Sequence, residues 1–187
     1  MTDRPPLRPT ASQTVGPFFH FALAEQASVA DMAGPDTPGE RITLRVSVFE
    51  GAGEPVPDAL IELYQADSDG RYAASESTAP AFTGFGRLPT DPDGVCVFRT
   101  IKPGPVPDGR GGLQASHINV CVLGRGLLQH LFTRMYFAGD PALDGDPIFA
   151  AVEPSRRATL LAVAADAPSV WSFDIRLQGT GETVFFE

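Results

Sequence analysis

Residues 114–122 read QASHINVCV and are expected to form a strand. Alternate side chains of a strand share a face, so His117 and Asn119 should look the same way from neighbouring positions. His-x-His on such a face would be a metal pair, and His-x-Asn is half of one. Three kinds of site fit the spacing: a working site that uses an amide, a site that has lost a ligand, and an ordinary strand with one polar face.

Other residues of reactive type are scattered along the chain. The segments DSDG (67–70) and DPDG (91–94) repeat Asp-x-Asp-Gly, but neither continues into the spaced ligands and closing Glu of an EF-hand loop. Tight turns are expected there rather than calcium sites. Cys96 and Cys121 lie inside apolar runs without zinc spacing; buried free thiols are expected, with a single disulfide as the alternative. Arg134 in FTRMYF points opposite to Thr133 and Met135, beside Phe132 and Tyr136. An arginine among aromatics can pair with a carboxylate ligand, or with one of the chain's 23 acidic residues as a structural ion pair. His20 and His130 have no partner spacing and are expected to be structural or interfacial.

The elements that must position these residues are mostly strands. Residues 1–40 are rich in proline and poor in periodic apolar positions, which predicts an arm and linker carrying one apolar island, GPFFHFAL (16–23). Phe18, Phe19 and Phe21 of that island are costly to leave in water and are expected to dock on this chain or on a partner. From residue 41 the pattern changes: RITLRVSVFE alternates Ile42, Leu44, Val46 and Val48 with polar neighbours, the period of a half-buried strand. LIELYQA, VCVFRTI, HINVCVLG, HLFTRMYF and WSFDIRLQG supply further strands, and GETVFFE (181–187) a last short one. One helix is expected, over 153–165 (EPSRRATLLAVAA). Short strands with turn chemistry every 8 to 12 residues predict an all-β fold, a β-sandwich over 41–187 with the arm at 1–40.

Composition removes several classes of function. The chain has 187 residues, 43% hydrophobic and 20% charged, enough for one domain with a substantial core and too apolar for global disorder. A formal net charge of -9 without any Lys/Arg cluster argues against nucleic acid as a partner. No apolar run approaches the roughly 20 residues of a membrane span, and MTDRPPLRPTASQT lacks the apolar core of a secretion signal, so a cytoplasmic protein is expected.

Taken together and in order, SQTVGPFF, LIELYQADSDGRY, GFGRLPTDPDGVCVFRTIKPGPVP, ASHINVCVLGRGL, HLFTRMYF, GDP and FDIRLQGTGETVFFE resemble the intradiol ring-cleaving dioxygenases, from about residue 10 to the C-terminus. Among them the chain resembles the iron-free alpha-type subunits acting on protocatechuate. The resemblance implies a β-sandwich and conversion of protocatechuate plus O2 to 3-carboxy-cis,cis-muconate at a non-haem Fe(III). In this family two Tyr and two His of an iron-binding beta subunit hold that ion. Carried onto this sequence, the ligand positions fall on Tyr72, Val106, His117 and Asn119, so two of the four lack a suitable donor. The position of a catalytic Arg is occupied by Gln114. The resemblance therefore implies a vestigial pocket here, with Tyr72 a packed aromatic and His117 a core histidine bonded to backbone. It implies Fe(III) held by a homologous beta subunit, within a higher-order hetero-oligomer. It also implies that Thr14, Gly16 and Pro17 of TVGP line the partner's pocket, the alternative being a docking arm without substrate contact, and that Arg134 meets the substrate carboxylate. Phe18 stands where relatives often carry Tyr, so no hydroxyl is offered there. Two other readings fit less of the pattern: an iron-free binding or scaffold module, and a self-sufficient enzyme with substitute ligands.

Overall fold

The computed structural model describes residues 11–73 and 82–186. Strands β1 (Arg41–Phe49), β2 (Leu60–Gln65), β3 (Phe85–Pro89) and β4 (Val95–Ile101) are followed by the short pair β5 (Val106–Pro107) and β6 (Leu113–Gln114). The chain continues through β7 (His117–Leu123), β8 (Leu131–Phe137), β9 (Leu161–Ala164) and β10 (Val170–Arg176). Eight strands form one nearly closed sheet in the order β3-β2-β7-β8-β9-β10-β1-β4, while β5 and β6 pair by themselves. The sheet folds on itself through a short parallel contact of β8 with β9, Tyr136↔Leu161 and Phe137↔Ala162, and this produces the expected sandwich.

Period-2 patterning decides which side chains go inside. Leu44, Val46 and Val48 of β1 meet Phe173 and Ile175 of β10 and Phe98 of β4 in one core with Ile61, Leu63, Ile118, Val120, Val122, Met135 and Phe137. All of these are buried. Their odd-numbered neighbours on β7, His117, Asn119 and Cys121, are left on the outer face.

The two outer strands, β3 and β4, are not bare edges. Val29 bridges to Arg87 on β3 and Asp31 to Arg99 on β4, and Met32 donates its backbone N–H to the Arg99 carbonyl. Met32 reaches the main core, so the linker half of the expected arm contributes a core residue. Gly86 makes the room: a Cβ there would lie 2.7 Å from the Met32 sulfur. Covering otherwise unpaired strands in this way removes a template for aggregation.

Both Asp-x-Asp-Gly segments are turns whose leading carboxylate is used locally. Asp67 Oδ1 accepts from the N–H groups of Asp69 and Arg71, and Asp91 Oδ1 from those of Asp93 and Val95. Gly70 closes the first turn at φ 78°, where a Cβ would collide with the Pro105 carbonyl at 2.0 Å. Cys96 and Cys121 are free thiols, and burial pushes them up to about 12 and about 11.

Two expected elements differ. The helix expected over 153–165 is instead a run of 3-10 turns, Pro154–Leu160, followed by β9. Arg157 spends its guanidinium on the carbonyls of Val152 and Ala150, Leu160 and Ala162 are buried, and pairing with β8 and β10 outweighs the helical propensity of the Leu/Ala run. The last strand reduces to a single bridge, Phe132↔Phe186, because Thr183 bonds to Arg176 and the backbone of Val184 to the hydroxyls of Thr133 and Thr159 rather than to a continuous ladder. Among the described residues no helix is long and apolar enough to cross a membrane.

Candidate functional site

The register places the suspect residues together. Asn119 on β7 lies opposite Tyr64 on β2 and Arg134 on β8, and His117 lies opposite Tyr136. Tyr72 arrives from the turn after Gly70 and stacks on Tyr64, with ring centroids 5.0 Å apart. The polar atoms then close on one another. His117 Nδ1 stands 2.8 Å from the Ala115 carbonyl, which can only accept, so the proton sits on Nδ1. Nε2 is left to accept from the Tyr72 hydroxyl at 3.2 Å, and the Asn119 amide donates to the same hydroxyl at 2.8 Å. Arg134 donates to Gln114 Oε1 at 2.6 Å, and among the described residues it forms no ion pair. Val106 is buried beside Gln114 on the β5–β6 pair.

A ferric ion does not fit this donor set. Asn119 turns its amide N–H inward, Val106 has no donor atom, and His117 Nε2 is taken up by a phenol. Burial, the largest influence, pushes the Tyr72 hydroxyl upward and opposes the phenolate that Fe(III) requires; the Asn119 bond and the Arg134 charge pull the other way without reversing it. Among the described residues no group of three His, Cys, Asp or Glu side chains could hold a metal. Tyr72, His117 and Asn119 form a neutral, internally satisfied polar plug. It is anchored below by Asp146, whose carboxylate accepts from the backbone N–H of Ala115 and from the Tyr136 hydroxyl.

His117 is 1% exposed, and burial lowers its pKa; the Ala115 bond opposes this and the Arg134 charge adds to it. A lowered folded-state pKa means that the unfolded chain binds more protons. The contribution of neutral His117 is therefore full above pH about 6.5 and lost as pH falls below it toward the lowered value. Urea unfolding from pH 7.5 to 5 should show wild-type stability falling below pH 6.5 more steeply than in His117→Gln. Equal slopes would contradict the assignment.

Thr14, Gly16 and Pro17 do not join this cluster. The Gly126 N–H donates to Thr14 Oγ1 at 2.9 Å, so the segment is tied to the β7–β8 turn. Four residues of β7, 120–123, lie between Asn119 and that turn, which puts Gly124 about 17 Å away at a strand rise of roughly 3.3 Å. The four residues expected at one substrate thus occupy two places, Arg134 at the plug and the other three at the opposite end of the strand. There Gly16, Pro17, Phe19, His20, Asp58 and Arg125 line a cavity of about 320 Å³. Phe18 is 86% exposed and Phe21 is 53% exposed beside it. Two residues of this second place were missed in the sequence. Arg125 stands in GRG, and an arginine flanked by glycines in a strand-ending turn was the available signal; Asp58 gave none, because its partner His20 is 38 positions away.

The Dioxygenase family profile matches residues 14–179. The protocatechuate 3,4-dioxygenase alpha chain of Pseudomonas putida is 40% identical over 192 residues, covering 95% of this chain and 96% of that one. A beta chain of the same enzyme, from Burkholderia cepacia, is 36% identical over 158 residues, 78% of this chain and 67% of its own length. Among solved structures, the dioxygenase domain of a carbohydrate-binding fusion protein from Streptomyces sp. SirexAA-E superposes with a TM-score of 0.64 at 29% identity, covering 92% of this chain and 99% of that one.

Proposed function

This chain belongs to the intradiol dioxygenase family as a homologue of protocatechuate 3,4-dioxygenase alpha chains, and from that premise we propose that it is the iron-free subunit of such an enzyme. Its partner is a homologous beta chain that holds the Fe(III), and the pair opens protocatechuate with O2 to 3-carboxy-cis,cis-muconate. The observation that carries the proposal is the division of labour within one strand. One end of β7 bears a plug that cannot bind iron, and the other bears an exposed cavity edge open to a second chain.

In this reading the oxygen chemistry rests with the partner's ferric ion, and this chain supplies a wall. Gly16 has no side chain and Pro17 fixes the backbone, so a planar ring can approach closely. Thr14 ties that segment to the β7–β8 turn. Arg125 is exposed, lines the same cavity and offers a guanidinium to a carboxylate there. Arg134, the arginine expected from sequence, would need the substrate at the far end of β7.

Steady-state kinetics of the assembled pair separates the two arginines. A desolvated Arg–carboxylate bond is worth roughly 1.5–3 kcal/mol, so Arg125→Ala should lower kcat/KM for protocatechuate by about 10- to 100-fold. Catechol, which lacks the carboxylate, should change far less. Arg134→Ala should leave both substrates within about 3-fold of wild type. Equal losses on both substrates for Arg125→Ala, or a selective loss for Arg134→Ala alone, would contradict this assignment.

A further inference from the structure

We infer that His20 and Asp58 form a positioning pair that presets the Gly16–Pro17 turn against Arg125 before the partner chain binds, an inference that rests on the proposed function. The apolar island is otherwise lightly held: Phe18 and Phe21 face outward, no residue of 16–23 is buried, and the first buried residue is Ala24 just beyond it. His20 Nδ1 lies 2.5 Å from Asp58 Oδ1, and its Nε2 lies 3.5 Å from Glu25 Oε1, so the ring is clasped between two carboxylates. His20 follows the substrate wall by one helical turn, with its N–H on the Pro17 carbonyl and that of Phe19 on the Gly16 carbonyl. Fixing the imidazole therefore fixes the wall.

The other half of the pair is anchored firmly. Asp58 donates its N–H to the Thr90 carbonyl, and Ala59 exchanges two bonds with Thr90, whose hydroxyl donates to the Val56 carbonyl. Within this clamp Asp58 adopts φ 65°, a left-handed conformation that glycine enters more readily. A side chain kept at such a position points to a role for the side chain itself. Both members of the pair line the cavity shared by Gly16, Pro17 and Arg125.

The substitution Asp58→Gly separates positioning from folding, because it relieves the backbone while removing the carboxylate. In the complex with the iron-holding beta chain it should leave the Tm of this chain unchanged or higher. It should also raise KM for protocatechuate about 10-fold, with kcat within about 2-fold, as expected when ground-state and transition-state binding are lost together. Asp58→Asn keeps an acceptor oxygen and should recover part of the loss. His20→Ala should match Asp58→Gly, and the double variant should add little to either. In the isolated chain, limited proteolysis should cut the 11–25 segment about 10-fold faster in both single variants than in wild type. A wild-type KM in assembled Asp58→Gly, additive losses in the double variant, or a KM rise that disappears at higher protein concentration would overturn the inference. A wild-type complex without ring cleavage would instead sink the proposed function, and proteolysis would then decide the positioning role alone.

Discussion

Asp146→Ala is expected to cost about 3–5 kcal/mol of folding stability, a large share of the roughly 5–15 kcal/mol of a typical domain. Asp146 is fully buried. One carboxylate oxygen accepts from the backbone N–H groups of Ile148 and Phe149, each at 2.8 Å, and caps the short helix Pro147–Ala151. The other accepts from the Ala115 N–H at 2.8 Å, and the Tyr136 hydroxyl adds a fourth bond at 3.3 Å. Alanine would strand these donors in a site closed by Tyr136, Phe149, Val152 and Leu160, at about 1–3 kcal/mol for each unsatisfied group. Asn keeps one acceptor but turns an N–H toward another, so Asp146→Asn should lose somewhat less. Urea unfolding measures the difference; a loss below about 1 kcal/mol for Asp146→Ala would show that the local structure relaxes around the deletion.

The strands were legible because their burial is one-sided. The alternation in 41–50 survives in the folded chain as β1, and the shared face of His117 and Asn119 follows from the same period. Elements were misjudged where distant partners decide. The Leu/Ala run at 160–164 has helical composition, yet β8 and β10 offer it ladder bonds. The C-terminal GETVFFE has strand composition, yet the hydroxyls of Thr133 and Thr159 take the backbone groups of Val184. The site divides in the same manner. That Val106 has no donor atom and Asn119 only a neutral amide is visible residue by residue in the sequence, whereas the separation of Arg134 from Thr14, Gly16 and Pro17 is set by strand length and by which end of β7 the arm reaches. Spacing in the sequence carries no information on either.

The second large effect concerns iron. Purified alone, the chain is expected to hold no stoichiometric iron and to open no protocatechuate. A ferric site of this family needs two phenolates and two imidazoles. At the four positions the resemblance points to, Val106 and Asn119 offer neither, and Tyr72 and His117 are bonded to each other. Neutral amide and alkyl groups cannot balance the charge of Fe(III), and opening the plug would also break the bonds of Asn119 to Tyr72 and to the Tyr64 carbonyl. Co-expressed with a beta-chain homologue, the same chain should elute as a complex with the red-brown colour of tyrosinate bound to Fe(III). The Arg125 and Asp58 variants should modify its kinetics without changing its iron content.

The most direct measurement is metal analysis of gel-filtered material, paired with a ring-opening assay, on this chain alone, on the beta-chain homologue alone and on the co-expressed pair. The account predicts no iron and no ring opening for this chain by itself, and for the pair one iron per beta chain with protocatechuate cleavage faster than that of the beta chain alone. Stoichiometric iron with a visible charge-transfer band and ring opening in the isolated chain, or a pair no more active than the beta chain by itself, would contradict it.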